Sequence, residues 1–410
     1  MLETIIESNE SLSNFVQAFR GAFKNKAQYG HFMAYILGLL IYTGSKNLTG
    51  ISQAVPGRRD ESSVYRFMSE QEWDAQQVKQ ICLGMLNRKA RRALQAISKA
   101  GEATPIFLII DDSLVEKTGK AMEGVAKHQS HSSKRLELGH VWVTGQLVIA
   151  GYSYAVEWSL YRRQNECEQA GGTFVSKPKL AEQIVKQFVP PPDTMTYVLT
   201  DSWYSSQDML KVCQQCGFKY IGAVRPNRKV KIAGHNQQAQ VWGQSIANSA
   251  FRRVKVKGKY YKIWSALGTL SSNHQVKVLL NRRIGHKKWH YLICTDLDLS
   301  PQTLLRFYLT RWEVENFYRA IKQNFGWGDY QMRNLLAIER HVLLVMVAYA
   351  FLELQRHDAA HHSTRPNAHF TLGSLQRSLQ RTVYRLTLQR VFDLALAGFD
   401  IDTIYQKLAA

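Results

Sequence analysis

Two aspartates stand where a strand ends. Ile106 to Ile110 is a continuous apolar run closed by Asp111, Asp112 and Ser113, and Thr196 to Thr200 is a second closed by Asp201. A carboxylate in that position is fixed by a rigid scaffold at the rim of a sheet. Its plainer role is to cap the next turn, as Asp often does. A further acid stands in different company. On one helix through Tyr308, Arg311, Glu315 and Lys322, the offsets put all four within about 60° of arc, with Trp312 and Arg319 bordering the stripe. Phe307, Val314, Phe317, Ile321 and Phe325 fall on a separate arc that packs on a core. Arg311 and Glu315 at i, i+4 make an ordinary surface pair, but such a pair needs neither Tyr308 nor Trp312 beside it. Carboxylates are the side chains for hard, oxygen-bound cations, and cations with aromatics beside them suit a phosphate ester.

The elements that hold these residues are readable in outline. Residues 1–100 read as helical, with apolar residues at helical spacing from Phe15 to Tyr42. A short helix from Asn47 to Val55, a Pro56-Gly57 break and a second helix from Glu61 to Ser69 resemble a helix-turn-helix pair. Arg58, Arg59 and Arg66, with Ser62, Ser63 and Tyr65, would then meet DNA, although such pairs also occur in plain helical domains. From Pro105 the pattern becomes strands, then alternating helices and strands. His140 to Ile149 and Tyr152 to Tyr161 are strands joined at Ala150-Gly151. Lys179 to Val189 and Gln207 to Cys216 are helices, and Lys219 to Val224 is a strand. That order predicts an α/β domain on a mixed sheet over residues 101–356. Ser300 caps a helix with Pro301 at its first position, and Gly326 and Gly328 end it. Residues 357–410 form a linker and further helices, beginning with a histidine-rich stretch from His357 to His369 that reads as solvated.

Charge is unevenly placed. The chain of 410 residues carries 53 Lys and Arg against 32 Asp and Glu, a net +21. From Met209 to Thr295 there are 17 Lys and Arg and no carboxylate. A solvated face normally mixes both signs. This β-rich segment, about residues 219–295, therefore predicts a platform for phosphates, with Arg252, Arg253, Lys255 and Lys257 among its cations. Trp242, Tyr260, Tyr261, Trp264, Trp289 and Tyr291 are interleaved, either to stack on unpaired bases or to fill a small core.

Other partners fit less well. The N-terminus MLETIIESNE lacks the basic-then-apolar order of a signal peptide. Val342 to Leu354 is too short to span a bilayer and reads as a buried helix. Five cysteines, an odd number, suit a reducing cytoplasm, and Cys213-x-x-Cys216 has no second pair with which to hold zinc. The expected location is the bacterial cytoplasm, on the nucleoid, with no membrane partner.

Tyr308-x2-Arg311-x3-Glu315-x6-Lys322 is similar, with no spacing error, to the YREK signature of bacterial insertion-sequence transposases of the DDE class. The text around it, Tyr-Leu-Thr-Arg-Trp-Glu-Val-Glu-Asn-Phe, also resembles that family, as does the order of parts over most of residues 1–356. The resemblance implies an RNase H-like core with Asp111, Asp201 and Glu315 as the catalytic triad. Asp112 competes for the first place, and Ser113, two residues after Asp111, favours Asp111. Tyr308, Arg311 and Lys322 would hold phosphates of the transposon end, with Arg319 beside them. In relatives that form a hairpin, a Trp of the insertion and one near the signature hold a flipped base; Trp289 or Tyr291 and Trp312 are the candidates here. Three carboxylates without a Cys or His ligand set imply Mg²⁺ or Mn²⁺, two ions serving an in-line displacement at phosphorus. The expected activity is cut-and-paste transposition on double-stranded DNA, at terminal inverted repeats and then a target. Joining two ends implies a dimer on DNA. An RNase H-like nuclease, or an inactive DNA-binding regulator on the same scaffold, are the competing readings.

Overall fold

Asparagine, aspartate and serine side chains start most of the helices. In the computed structural model, Asn9, Asn25, Asn47 and Asp60 each accept a backbone N–H three residues on. They open α1 (Glu10–Gln17), α2 (Lys26–Ile41), α3 (Leu48–Ala54) and α4 (Glu61–Ser69). Helix α5 (Ala75–Ile97) follows. The stretch of helical spacing from Phe15 to Tyr42 is divided between α1 and α2. A 3-10 turn at Arg20–Ala22 and the cap at Asn25 separate them. The structure describes residues 6–7, 9–55, 60–98, 102–130, 133–169, 171–271, 273–362 and 370–409. The Pro56-Gly57 break, Arg58, Arg59 and the later part of the histidine-rich stretch lie outside these.

Contacts group the chain into two units, Met1–Ala90 with Leu114–His140 and Phe317–Ala410, and Arg91–Ser113 with Val141–Asn316. The boundaries expected near residues 100 and 356 run along the chain, whereas each unit is assembled from separated segments. The first unit is built on α12 (Leu335–His362), against which α2, α4 and α13 (Leu372–Leu396) pack. From Val342 to Leu354 every side chain of α12 is buried. Leu335–Ala360 is long and apolar enough to cross a membrane, but 83% of its most apolar window is buried inside the protein. The stretch is apolar all round because helices surround it. Helix α14 (Ile401–Ala409) closes the chain.

The second unit is a mixed sheet. Its strands are β1 (Thr104–Glu116), β3 (Leu136–Ile149), β4 (Tyr152–Tyr161), β5 (Thr194–Thr200), β6 (Lys219–Val224), β7 (Lys229–Ile232), β8 (His235–Gln238), β9 (Arg252–Val256), β10 (Lys259–Thr269), β11 (Gln275–Arg283) and β12 (His290–Cys294). β2 (Ala126–Gln129) pairs with the start of β3 in the first unit. The order is β3-β1-β5-β6-β12-β11-β10-β7-β8, with β4 on β3 and β9 on β10. β1, β5 and β6 run parallel, while β12, β11, β10 and β9 add antiparallel to the far side of β6. The basic insertion therefore extends the central sheet instead of forming a separate body. After the short α6 (Gln164–Gln169), helices α7 (Lys177–Gln187) and α8 (Gln207–Gln215) press Ala181, Ile184, Val185, Met209 and Leu210 onto the sheet core, and α9 (Ala239–Ser245) lies within the insertion. At the β3–β4 hairpin, Ala150 and Gly151 both have positive φ, 47° and 85°, as a two-residue primed turn requires. A mixed α/β core flanked by helices at both ends of the chain is the RNase H-like arrangement that the sequence leads one to expect.

Candidate active site at the carboxyl ends of the parallel strands

Strand register brings the two aspartates together. β1 and β5 pair in parallel with Ile110 opposite Thr200, so the next residues, Asp111 and Asp201, lie side by side where β5 ends; β1 does not stop there, as the sequence suggests, but runs on through Asp111 to Glu116 beside β3. Ligands of open α/β sheets are bound at the carboxyl ends of the strands. Asp201 is then held by its own turn, where Oδ1 accepts from the backbone N–H of Trp203 at 2.9 Å and of Tyr204 at 3.3 Å. Thr200 supports the strand end by bonding Tyr220 OH at 2.6 Å.

Asp111 and Asp112 have different partners because successive residues of a strand face opposite ways. Asp111 Oδ2 accepts from Arg311 Nη1 at 3.0 Å, and Arg311 Nη2 reaches Glu315 Oε1 at 2.9 Å. One guanidinium thus ties the β1 acid to the helix acid. Asp112 instead accepts from Lys177 Nζ at 3.0 Å and from Tyr204 OH at 2.6 Å. The resulting ion pair is largely buried, the two side chains retaining 21% and 16% exposure.

The signature residues do not share one uninterrupted helix. α10 (Pro301–Tyr308) ends in a 3-10 turn at Leu309–Arg311, and α11 (Trp312–Asn324) begins directly after it. A 3-10 turn advances more per residue than an α-turn, so the wheel drawn through Tyr308 is rotated at that step. Arg311 and Glu315 still meet across it. Ser300 caps α10 with Pro301 in its first turn, and Gly326 follows α11 with φ of 68°, both as the sequence suggests.

Electrostatics at the site are unbalanced. Burial pushes the Asp111 carboxyl up, to about 7, and the nearby Asp201 and Asp112 charges push the same way against Arg311. Burial likewise raises the Tyr308 hydroxyl to about 12, with Arg311 opposing. At Asp111 burial thus outweighs the relief that Arg311 gives, and further positive charge there would favour the ionised form. A hard divalent cation fits that need, and three carboxylate side chains are suitable donors. With Arg311 between Asp111 and Glu315, no group of three or more His, Cys, Asp or Glu among the described residues is gathered tightly enough to hold an ion together.

The insertion reaches this site through a hairpin. Lys257 and Gly258 turn the chain between β9 and β10, and Lys257 Nζ lies 3.4 Å from Thr310 Oγ1, next to Arg311. Gln302 of α10 donates to the Lys255 carbonyl at 3.1 Å. Arg252, Arg253, Lys255 and Lys257 are all exposed, and the Arg253 guanidinium lies 4.2 Å from the centre of the Tyr260 ring. A cavity of about 580 Å³ opens between the insertion and the signature turn, lined among others by Asn281, Arg283, Lys287, Tyr308, Arg311 and Trp312. Trp312 is 53% exposed at its lip.

The two insertion aromatics lie elsewhere. Tyr291 is buried in the sheet core, and Trp289 packs on Phe251 at 4.7 Å beneath Arg282. Both fill the small core of the insertion in this structure. Arg319 and Lys322 lie in the first unit, exposed on α11, and Lys322 Nζ donates to the Leu114 carbonyl at 2.8 Å. Arg66 is exposed on α4 beside Ser63, which it meets at 3.3 Å. Sequence reading overlooked Lys177, Trp203 and Tyr204. An aromatic pair directly after the second strand-end acid was the available signal for two of them, whereas nothing in the linear spacing marks Lys177.

Paired carboxylates on an RNase H-like sheet, beside a segment rich in Lys and Arg, are an arrangement suited to breaking phosphodiester bonds, and the family comparisons agree with it. Residues 18–258 match the DDE superfamily endonuclease family and residues 175–351 the transposase DDE domain family. The chain belongs to the DDE superfamily of endonucleases. It is also similar to a probable transposase for insertion sequence element IS701 from Microchaete diplosiphon, with 22% identity over 388 residues that cover 90% of this chain and 95% of that protein. Its function is that of a DNA transposase, and the family uses divalent metal.

Proposed function

We propose that this transposase works by cut-and-paste on an insertion sequence, with Asp111, Asp201 and Glu315 as its catalytic acids. The observation that carries the reading is the β1–β5 register that sets Asp111 beside Asp201, with Arg311 linking Asp111 to Glu315. With Arg311 turned from between Asp111 and Glu315 to a DNA phosphate, those three carboxylates would hold two Mg²⁺ or Mn²⁺ ions. When bound, the metal supplies Lewis-acid stabilisation of the oxygens that attack and leave phosphorus. The chain itself does the rest. Arg311 and Tyr308, with Lys322 and Arg319, hold the phosphates of the transposon end as the YREK-type signature would. The exposed hairpin cations Arg252, Arg253, Lys255 and Lys257 track the duplex backbone, and Trp312 closes over the terminal nucleotide from the lip of the 580 Å³ cavity. Arg66 of α4, with Arg58 and Arg59, adds contacts to the repeat. Water first cleaves the phosphodiester at the end, and the freed 3′-hydroxyl then attacks a target phosphate, with phosphate ester bonds exchanged one for one. Bringing two ends together takes two copies of the chain on DNA, in the bacterial cytoplasm.

Purified protein, Mg²⁺ or Mn²⁺ and the DNA flanking its own gene test this directly. Nicks at the element ends followed by joined products are expected. Asp111→Asn, Asp201→Ala and Glu315→Ala should each lower both steps by about 10³-fold or more, while end binding persists. Asp112→Asn keeps its bond from Tyr204 and should cost only about 10-fold. Tight end binding without cutting, with either metal, would leave a DNA-binding regulator as the better account. Cutting without joining would leave a nuclease.

A further inference from the structure

Trp203 is half exposed, at 50%, two residues beyond Asp201. Single exposed apolar side chains need no explanation by themselves. Trp203 differs in its company. Its own backbone N–H donates to Asp201 Oδ1 at 2.9 Å, so the indole is tethered to the strand-end acid by one turn. The Lys177 ammonium lies 5.6 Å from the centre of its ring and the Arg225 guanidinium 5.5 Å. Arg225 is exposed beyond the end of β6, and Lys177 at the start of α7 also pairs with Asp112. An indole kept only for packing would be buried, as Trp142 and Trp327 are. Here a flat apolar surface is left open to solvent, flanked by two cations, beside the acids that cut DNA.

We infer that Trp203, Lys177 and Arg225 form a subsite for the newly cut DNA end, where the indole stacks on the outward face of the terminal base and the two cations take its neighbouring phosphates. The chemistry explains the selectivity. Inside an intact duplex each base face is covered by the next pair, so the indole has no flat surface to meet. Cleavage uncovers one such face at the end. Aromatic stacking on a base is sequence-tolerant, so the subsite would read the state of the end and not its sequence. It would hold the 3′-hydroxyl end at the acids between cutting and joining. This inference rests on the proposed role of Asp111 and Asp201.

Three substrates with the wild-type end sequence test it: an uncut duplex with flanking DNA, a duplex pre-cut at the terminus, and a pre-cut duplex whose terminal nucleotide is abasic. Trp203→Ala should weaken binding and joining of the pre-cut end by roughly 5- to 100-fold, and first cleavage of the uncut duplex by no more than about 3-fold. Removing the terminal base should cost the wild type a similar factor in joining and cost Trp203→Ala little more. Trp203→Phe should recover most of the loss, and an unchanged melting temperature shows that the variants fold. Equal losses in cleavage and joining, undiminished joining by Trp203→Ala, or an abasic loss that multiplies with the variant's loss each overturn the subsite. A wild-type chain that neither cuts nor joins brings down the underlying site assignment as well.

Discussion

Asp111 carries a cost that the metal is expected to remove. Its carboxyl titrates near 7 in the folded chain, against 3.8 as an ordinary aspartate, chiefly because it is buried. Between those pH values the folded chain keeps a proton that the unfolded chain has lost. Stability therefore falls as pH rises through that window, and the loss is complete above about 7. Asp111→Asn removes the titration. The metal-free variant should gain on the wild type on going from pH 5 to pH 8, by on the order of 2–3 kcal/mol. Mg²⁺ should then stabilise the wild type at pH 8 and the variant much less, through linkage. Thermal melts of both proteins at the two pH values, with and without Mg²⁺, check it. An Asn variant no steadier at pH 8 than the wild type would mean that Arg311 already neutralises the site.

Among the elements, the helix that carries Glu315 ends against a buried lysine. Lys46 Nζ donates to the Asn324 carbonyl at 2.6 Å, at the end of α11, and to the Leu39 carbonyl near the end of α2. Its backbone N–H bonds Asp329 at 2.7 Å, and burial pulls its ammonium down to about 8. A cation at two helix carboxyl ends satisfies carbonyls that have no helical partner. Lys46→Ala should cost about 1–3 kcal/mol, seen as a lower melting temperature of the metal-free protein. The cap at Ser300-Pro301, the buried core of β1 from Ile106 to Ile110 and the end of β5 at Thr200 were legible in the sequence, because each is a local signal, whereas the end of β1 was not, since that strand runs on through the acids to Glu116. The 3-10 step at Leu309–Arg311 was not legible, since none of its residues is a helix breaker. The partners of Asp112 were equally hidden, because Lys177 lies 65 positions away and meets it only through the folded sheet. Interleaved aromatics such as Tyr291 could fill a core or stack on DNA, and only burial separates those roles.

For the whole molecule, charge sets how it meets DNA. Net +21 resides partly on exposed hairpin side chains whose contacts are few, chiefly Arg253 on the Tyr260 ring and Lys257 on Thr310. Changing Arg252, Arg253, Lys255 and Lys257 together to Gln should lower the melting temperature only slightly. The slope of log affinity against log salt should become shallower by roughly 3–4, near 0.9 for each phosphate no longer neutralised. A slope that does not change would move the DNA track off this hairpin.

The ladder between β6 and β12 has a consequence for any attempt to shorten the chain. Remove the part of the insertion that follows β6, from β7 to β12, and β6 becomes a bare outer strand with a row of unpaired amides and carbonyls directed at the next molecule. Such a row recruits strands from other copies. A trimmed chain that kept every acid would be expected to drop out of solution, so the segment proposed to grip DNA also serves as the selvedge that stops the central sheet from fraying into its neighbours.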